Sequence, residues 1–335
     1  GTHNNALETQ VFRSTIKAPR SSMISKAEGV HRVQANYSGG YLIDSHSSLK
    51  NSTTVEIIEH TGEPIRTLLQ SKNPFANTEI AQTELYTIKA EDGTPLNCRI
   101  IKPSNFDATK SYPTLIYVYN GPGVQLIYNS NLAAAPLWMH YLANEYDYIV
   151  FTLDGRGSEN RGREFEQKIF RNLGDVEMQD QITGVEHLKS LDFVDTNRIA
   201  VHGWSYGGFM TTNLMCSYPN IFTCGVAGGP VIDWKFYEVM YTERFMDTPK
   251  TNPEGYENTS LLNKAKNLKG ELLMIHGAQD DVVVWQHSMA FVRKCVEQGV
   301  QLDYFPYPSH PHNVRGKDRI HLMRKVIDYI IDHNQ

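Results

Sequence analysis

The run Gly203-Trp204-Ser205-Tyr206-Gly207-Gly208 sets a serine between small residues at GxSxG spacing. A serine hydroxyl attacks a carbonyl carbon only when a base takes its proton and a carboxylate orients that base. The spacing suits a serine held on a sharp strand-to-helix turn, with glycines where the two elements pass too close for a side chain. The context agrees: Ile199-Ala200-Val201-His202 reads as a buried strand, and a helical pattern begins straight after the motif. Further on, Met274-Ile275-His276-Gly277-Ala278-Gln279-Asp280-Asp281 follows another strand and offers the acid, Asp280 first and Asp281 as its alternative. Tyr307-Pro308-Ser309-His310-Pro311-His312-Asn313 follows the last strand and offers the base; His310 and His312 both stand in position, and the pattern does not separate them. Acyl chemistry also needs two donors aimed at the developing oxyanion. The Tyr206 amide is one, and the loop Tyr119-Asn120-Gly121-Pro122-Gly123 offers the Tyr119 hydroxyl as the other.

Other motifs say less. Asp154-Gly155-Arg156-Gly157-Ser158 contains a GxG but no third glycine and no helix directly behind it, so it reads as an Asp154–Arg156 structural pair rather than a dinucleotide site. Trp234, Tyr237 and Tyr241 recur at i, i+3 and i+7 and are expected on one helical face, as core or as the wall of a substrate pocket. The thirteen histidines form no HExxH pair, and the four cysteines show no zinc spacing. Cys98, Cys216, Cys224 and Cys295 read as free buried thiols, with a Cys216–Cys224 pair as the alternative, and the chemistry calls for no metal or organic cofactor.

The elements that must position these groups follow from hydrophobic patterning. Apolar strands are expected at Thr114–Tyr119, Tyr148–Leu153, Arg198–His202, Cys224–Ala227, Glu271–His276 and Leu302–Tyr307. Helices are expected near Ala133–Asn144, Val176–Ser190, Gly207–Ser217, Gln286–Glu297 and Asp318–His333. Such alternation means an α/β fold with a mostly parallel, doubly wound sheet; with the serine turn it points to the α/β-hydrolase fold, opened by a hairpin at Glu84–Lys89 and Pro95–Ile101. Before it, Thr9–Thr15, His31–Asn36, Gly40–His46 and Thr53–His60 read as four short strands. They match one β-propeller blade, which cannot bury both faces alone. The chain is therefore divided into residues 1–80, a β segment resembling the last blade of a propeller, and residues 81–335, the catalytic domain.

Composition excludes several classes. The 335 residues carry a net charge of −5 with 40% hydrophobic and 21% charged residues, which fits a globular chain and offers no basic surface for nucleic acid. No apolar run approaches the roughly 20 residues of a membrane span. The opening Gly1-Thr2-His3 lacks Met, so Gly1 is expected to be a cloning remnant and the chain the C-terminal part of something longer.

Taken together, GWSYGG, DGRGS, YTER and HGxxDD resemble the prolyl oligopeptidase family and, within it, the dipeptidyl peptidase IV branch, from roughly Thr83 to the C-terminus. Gly228-Gly229-Pro230 to Tyr241, Asn252-Pro253-Glu254-Gly255-Tyr256 and Tyr307 to Val314 most resemble the bacterial prolyl tripeptidyl aminopeptidases of that branch. The resemblance implies Ser205 as nucleophile, Asp280 as orienting acid, His312 as base and Tyr119 as oxyanion donor. It assigns Tyr206, Val231, Trp234, Tyr237, Tyr241 and Val283 to an apolar pocket for proline, and Glu238 to the substrate's free amine. Val282 stands where dipeptidyl peptidase IV has an Asn that contacts the substrate carbonyl, which tilts the expectation toward tripeptide release. The family's other amine-binding glutamates lie in the propeller. The expected activity is a serine exopeptidase releasing N-terminal peptides after proline; dipeptide release and a carboxylesterase on the same fold are the alternatives. The expected partners are peptides with a free N-terminus and proline before the scissile bond, and a homodimer. The bacterial relatives imply an extracytoplasmic place, periplasmic or at the cell surface.

Overall fold

The computed structural model describes residues 1–2 and 5–335, with the described strands in three sheets. The strands β1 (Phe12–Thr15) and β2 (Ala18–Met23) form an antiparallel hairpin. Next, β3 (Val30–Ala35), β4 (Tyr41–Ser47), β5 (Thr54–Glu59) and β6 (Pro64–Gln70) make a four-stranded antiparallel meander in sequence order. The strand membership differs from expectation. The Thr9–Thr15 segment pairs locally with β2 and meets the meander through a single Thr9–Val30 bridge. The fourth place belongs to β6, because Gly62 at φ 90° turns the chain straight back and Glu59 N–H donates to the Glu63 carbonyl. Pro64 opens this strand, which is exposed along its length; a residue without an N–H is tolerated at the start of an edge strand.

The main sheet holds β7 (Gln82–Lys89), β8 (Pro95–Lys102), β9 (Tyr112–Tyr117), β10 (Ile149–Asp154), β11 (Val194–Trp204), β12 (Cys224–Gly228), β13 (Glu271–Gly277) and β14 (Asp303–Tyr307). Its order is β14-β13-β12-β11-β9-β10-β8-β7, with β9 to β14 parallel and β7–β8 an antiparallel hairpin at the edge. This is the α/β-hydrolase arrangement. The helices are α1 (Leu137–Tyr146), α2 (Arg163–Glu166), α3 (Val176–Lys189), α4 (Tyr206–Ser217), α5 (Val239–Met246), α6 (Pro253–Thr259), α7 (Gln286–Gln298) and α8 (Asp318–His333). Alternate strand residues face opposite sides. Ile116, Val201 and Met274 join α3, α4 and α7 in one core, while Leu115, Ala200 and Leu273 join α1 and α8 in the other. α1 starts later than the expected Ala133, because Leu132 and Ala133 adopt left-handed φ and Pro136 caps the helix proper. All four cysteines are buried and free.

Candidate active site

Parallel strands end on one side of the sheet, and loops from β9, β11, β13 and β14 converge there. Ser205 links β11 to α4 at φ 62° and ψ −117°, a backbone region that L-residues rarely occupy. The glycines around it are enforced by space. A β-carbon at Gly203 would lie 2.4 Å from the carbonyl oxygens of Gly207 and Val118, and one at Gly207 would lie 2.2 Å from that of Val118. The Ser205 amide donates to the Gly228 carbonyl at 2.7 Å, and its own carbonyl accepts from Phe209 N–H at 3.0 Å. Ser205 is thus pinned between β12 and the first turn of α4.

The two open choices in the sequence separate by contact. His312 Nδ1 lies 2.7 Å from Asp280 Oδ2, whereas His310 Nε2 lies 2.7 Å from Asp318 Oδ2. Asp281 is exposed. Asp280 Oδ1 accepts from the amides of Val282 at 2.9 Å and Val283 at 2.8 Å. His276 Nε2 stands 3.2 Å from Asp280 Oδ2 and 2.7 Å from the Val283 carbonyl, while its Nδ1 meets Ser288 Oγ at 2.6 Å. Burial pushes the Asp280 carboxyl up, but hydrogen bonds from His276, His312 and Val283 outweigh burial and hold it well below the usual carboxylate range. Trp204 Nε1 donates to the His312 carbonyl at 3.0 Å, tying the histidine loop to the serine turn. The sequence reading missed His276, although its place on β13, four residues before Asp280, was a usable signal.

Tyr119, Ser205 and His312 line one cavity of about 450 Å³, with Trp204, Tyr237 and Val282. Tyr119 follows β9, and Asn120 behind it takes φ 55°. That turn is locked: the Asn120 side chain donates to the Arg156 carbonyl and accepts from the Gly155 amide and Gln181 Nε2. A β-carbon at Gly121 would lie 2.6 Å from Tyr119 Cε1, so glycine leaves room for the ring beside the serine. Burial pushes the Tyr119 hydroxyl up to about 12, which keeps it a neutral donor. The Tyr206 amide lies in the first turn of α4, where N–H groups have no acceptor within the helix.

Tyr206, Trp234, Val231 and Val283 are buried, while Tyr119, Tyr237 and Tyr241 are half-buried at their edge. Trp234 stacks on Tyr241 with an interplanar angle of 16°, and Tyr237 meets Tyr241 edge-on at 5.2 Å. These rings pack against one another, but not on one helix as expected, and Tyr237 is the one of them that lines the cavity at Ser205. Asp233 caps a 3₁₀ turn at Trp234–Phe236, Tyr237 and Glu238 are extended, and α5 begins at Val239. Two caps in close succession break the helix, and the rings meet through the fold. Glu238 is itself the second cap, accepting from Tyr241 N–H at 2.7 Å and Met240 N–H at 2.9 Å from an exposed position. The Tyr206 ring is held by Glu177, a buried acid on α3 that nothing in the sequence pattern singled out.

The expected Asp154–Arg156 pair does not form. Asp154 accepts from the amides of Leu126 and Ile127 at the turn beyond β9. Arg156 instead makes a two-pronged pair with the fully buried Asp180 of α3 and reaches Asp92 at 2.9 Å. A bidentate carboxylate on the facing helix satisfies the planar guanidinium better than a residue two positions away on the same chain.

Residues 135–335 match the model of the prolyl oligopeptidase family. Among solved structures, a candidate dipeptidyl aminopeptidase IV from Bacteroides ovatus superposes with a TM-score of 0.91 at 46% identity, over 93% of this chain and 45% of that one. Dipeptidyl peptidase 4 of Porphyromonas gingivalis superposes with a TM-score of 0.93 at 32% identity, over 99% of this chain and 47% of that one. Mouse dipeptidyl peptidase 8 is 30% identical over 94% of the chain, which spans only 37% of that relative's length. A family match over the serine turn and the Asp–His loops, joined to the superposition on these solved structures, leaves one assignment: the chain belongs to the prolyl oligopeptidase family.

Proposed function

We propose that the chain carries the catalytic centre of a serine exopeptidase that cleaves after proline, releasing N-terminal tripeptides. The observation that carries this reading is the Asp280–His312 contact at 2.7 Å in the cavity where Ser205 is strained. Ser205 Oγ attacks the prolyl carbonyl carbon while His312 takes its proton, with Asp280 holding the ring in the required tautomer. The Tyr119 hydroxyl and Tyr206 amide receive the oxyanion. His312 then protonates the leaving amine, and water hydrolyses the acyl ester by the same route in reverse.

Proline is a rigid, flat ring that enters a slot between aromatic faces with little entropy to lose. The Trp234–Tyr237–Tyr241 cluster and the Tyr206 ring supply such faces. Glu238 places a carboxylate near this slot, suited to a cationic N-terminus. Val282, 45% exposed at the cavity, offers no side-chain amide to a substrate carbonyl, which favours tripeptide over dipeptide release. The second reading, dipeptide release, is favoured by the names of the solved relatives. The four-stranded meander has the strand count of a propeller blade. Its exposed Ile43, Ile65, Leu68 and Leu69 are residues that neighbouring blades would cover.

The test is a chromogenic panel on the chain and its Ser205→Ala variant: a free-amine Ala-Ala-Pro amide, a Gly-Pro amide, an N-blocked tripeptide and a short acyl ester. Serine-dependent preference for the free tripeptide supports the proposal, and preference for Gly-Pro moves it to dipeptide release. Ester cleavage alone makes the site an esterase, and unchanged rates in Ser205→Ala remove the nucleophile assignment.

A further inference from the structure

We infer that His31, Asp44 and His46, on the N-terminal meander and far along the chain from the serine turn, form a binding site for a first-row divalent transition metal of the zinc type. His31 on β3 pairs directly with His46 on β4, and Asp44 lies two residues from His46, so all three side chains share one face of the sheet. One ligand atom from each lies within 4.8 Å of the others, and the two imidazoles stack with centroids 4.8 Å apart. His31 and Asp44 are only 4% and 2% exposed.

The hydrogen bonding in this cluster does not close without a cation. His31 Nε2 lies 2.9 Å from the Ala27 carbonyl oxygen, which can only accept, so that nitrogen carries the proton. In the neutral ring Nδ1 is then a bare lone pair, yet it faces Asp44 Oδ2 at 2.7 Å. His46 Nδ1 lies 3.3 Å from the same oxygen, and among the described residues neither this buried nitrogen nor the buried Asp44 Oδ1 has a hydrogen-bond partner. A proton on His31 Nδ1 would answer the 2.7 Å contact and still leave His46 Nδ1 and Asp44 Oδ1 without partners. A metal ion between the rings answers both Nδ1 atoms and the carboxylate together.

Two imidazoles and one carboxylate make a three-ligand set of intermediate softness, suited to Zn²⁺ or Co²⁺ rather than Mg²⁺ or Ca²⁺. The Ala27 carbonyl on His31 Nε2 is the outer contact that orients a metal-binding histidine. Donors about 2.0 Å from a tetrahedral ion lie roughly 3.3 Å apart. His46 Nδ1 already stands 3.3 Å from Asp44 Oδ2, and the His31 Nδ1–Asp44 Oδ2 pair opens from 2.7 Å when the ion enters. Both histidines also line a cavity of about 580 Å³ with Tyr128, Asn131 and Glu159, which gives the ion a way in and leaves a fourth coordination position facing solvent.

The test is titration of the chelator-stripped full chain with Co²⁺, followed by visible d–d absorption, then competition with Zn²⁺. The expected result is one equivalent bound with tetrahedral bands that Zn²⁺ abolishes. His46→Gln, at the least buried member of the cluster, is expected to weaken Co²⁺ binding on the order of 10²-fold. Its metal-free circular dichroism and melting temperature are expected to match those of the native chain. Absence of bands in the folded native chain would overturn the inference in favour of an imidazolium–carboxylate pair. Undiminished affinity in His46→Gln would place the metal elsewhere and overturn it equally.

Discussion

The Tyr206 hydroxyl donates to the buried Glu177 carboxyl at 2.6 Å, so a single acid on α3 anchors the ring that follows Ser205 and packs against Trp234. Burial pushes Glu177 up to about 8, against the lowering effect of Tyr206 and nearby amides. Between the ordinary value of 4.5 and about 8, the folded chain keeps a proton that the unfolded chain has lost. This group therefore subtracts from stability as pH rises through that window, at a slope of up to about 1.4 kcal/mol per pH unit. Glu177→Gln mimics the protonated acid. Urea unfolding of both proteins across the window is expected to show the variant gaining on the native chain as pH rises. A difference that stays flat removes the raised pKa.

Asp280 has the opposite sign. Its carboxyl is held below the usual range, so its contribution to stability is complete above the ordinary Asp value and is lost as pH falls through the depressed one. Asp280→Asn is expected to blunt this acid-side loss in thermal melts. It is also expected to lower kcat by about 10⁴-fold, because an amide no longer selects the His312 tautomer. A variant that keeps its rate would show that the Asp280–His312 contact is only structural.

The sheet, its edge hairpin and the serine turn were legible because each is written locally: continuous apolar runs, a GxSxG between strand and helix, acid and histidine after later strands. Contacts set by the tertiary fold were not. Nothing around Glu177 marks it as the partner of Tyr206, since an acid in the first turn of a helix is ordinary until burial makes it costly. Asp154 and Arg156 were close in sequence, and proximity misled: each found a better partner across the fold. β6 was passed over because it is an edge strand opened by proline, with no buried face to give it a period. Trp234, Tyr237 and Tyr241 fall at helical spacing, yet the caps at Asp233 and Glu238, also visible in the sequence, decide where the helix can run.

Tyr119→Phe separates a donor from a wall. The ring is held by the locked Asn120 turn and by space at Gly121, so removing the hydroxyl leaves the packing in place. Loss of one oxyanion donor is expected to lower kcat by roughly 10²–10³-fold with KM little changed. A raised KM at constant kcat would make Tyr119 part of the pocket alone.

Glu238→Gln tests whether this carboxylate reads the substrate amine or only caps α5. The glutamine keeps one acceptor for the Met240 and Tyr241 amides, so the helix start should survive, whereas Glu238→Ala should lose about 1 kcal/mol of stability with the cap. An exposed ion pair contributes up to about 1 kcal/mol, so kcat/KM of Glu238→Gln on free-amine prolyl peptides is expected to fall by up to about fivefold. N-blocked peptides should show no such loss. A peptide amine titrates near pH 8, so the difference between native chain and variant should vanish as pH rises above that value and the substrate loses its charge. An equal loss on blocked and free substrates at every pH would assign Glu238 to the helix and leave amine recognition to another group.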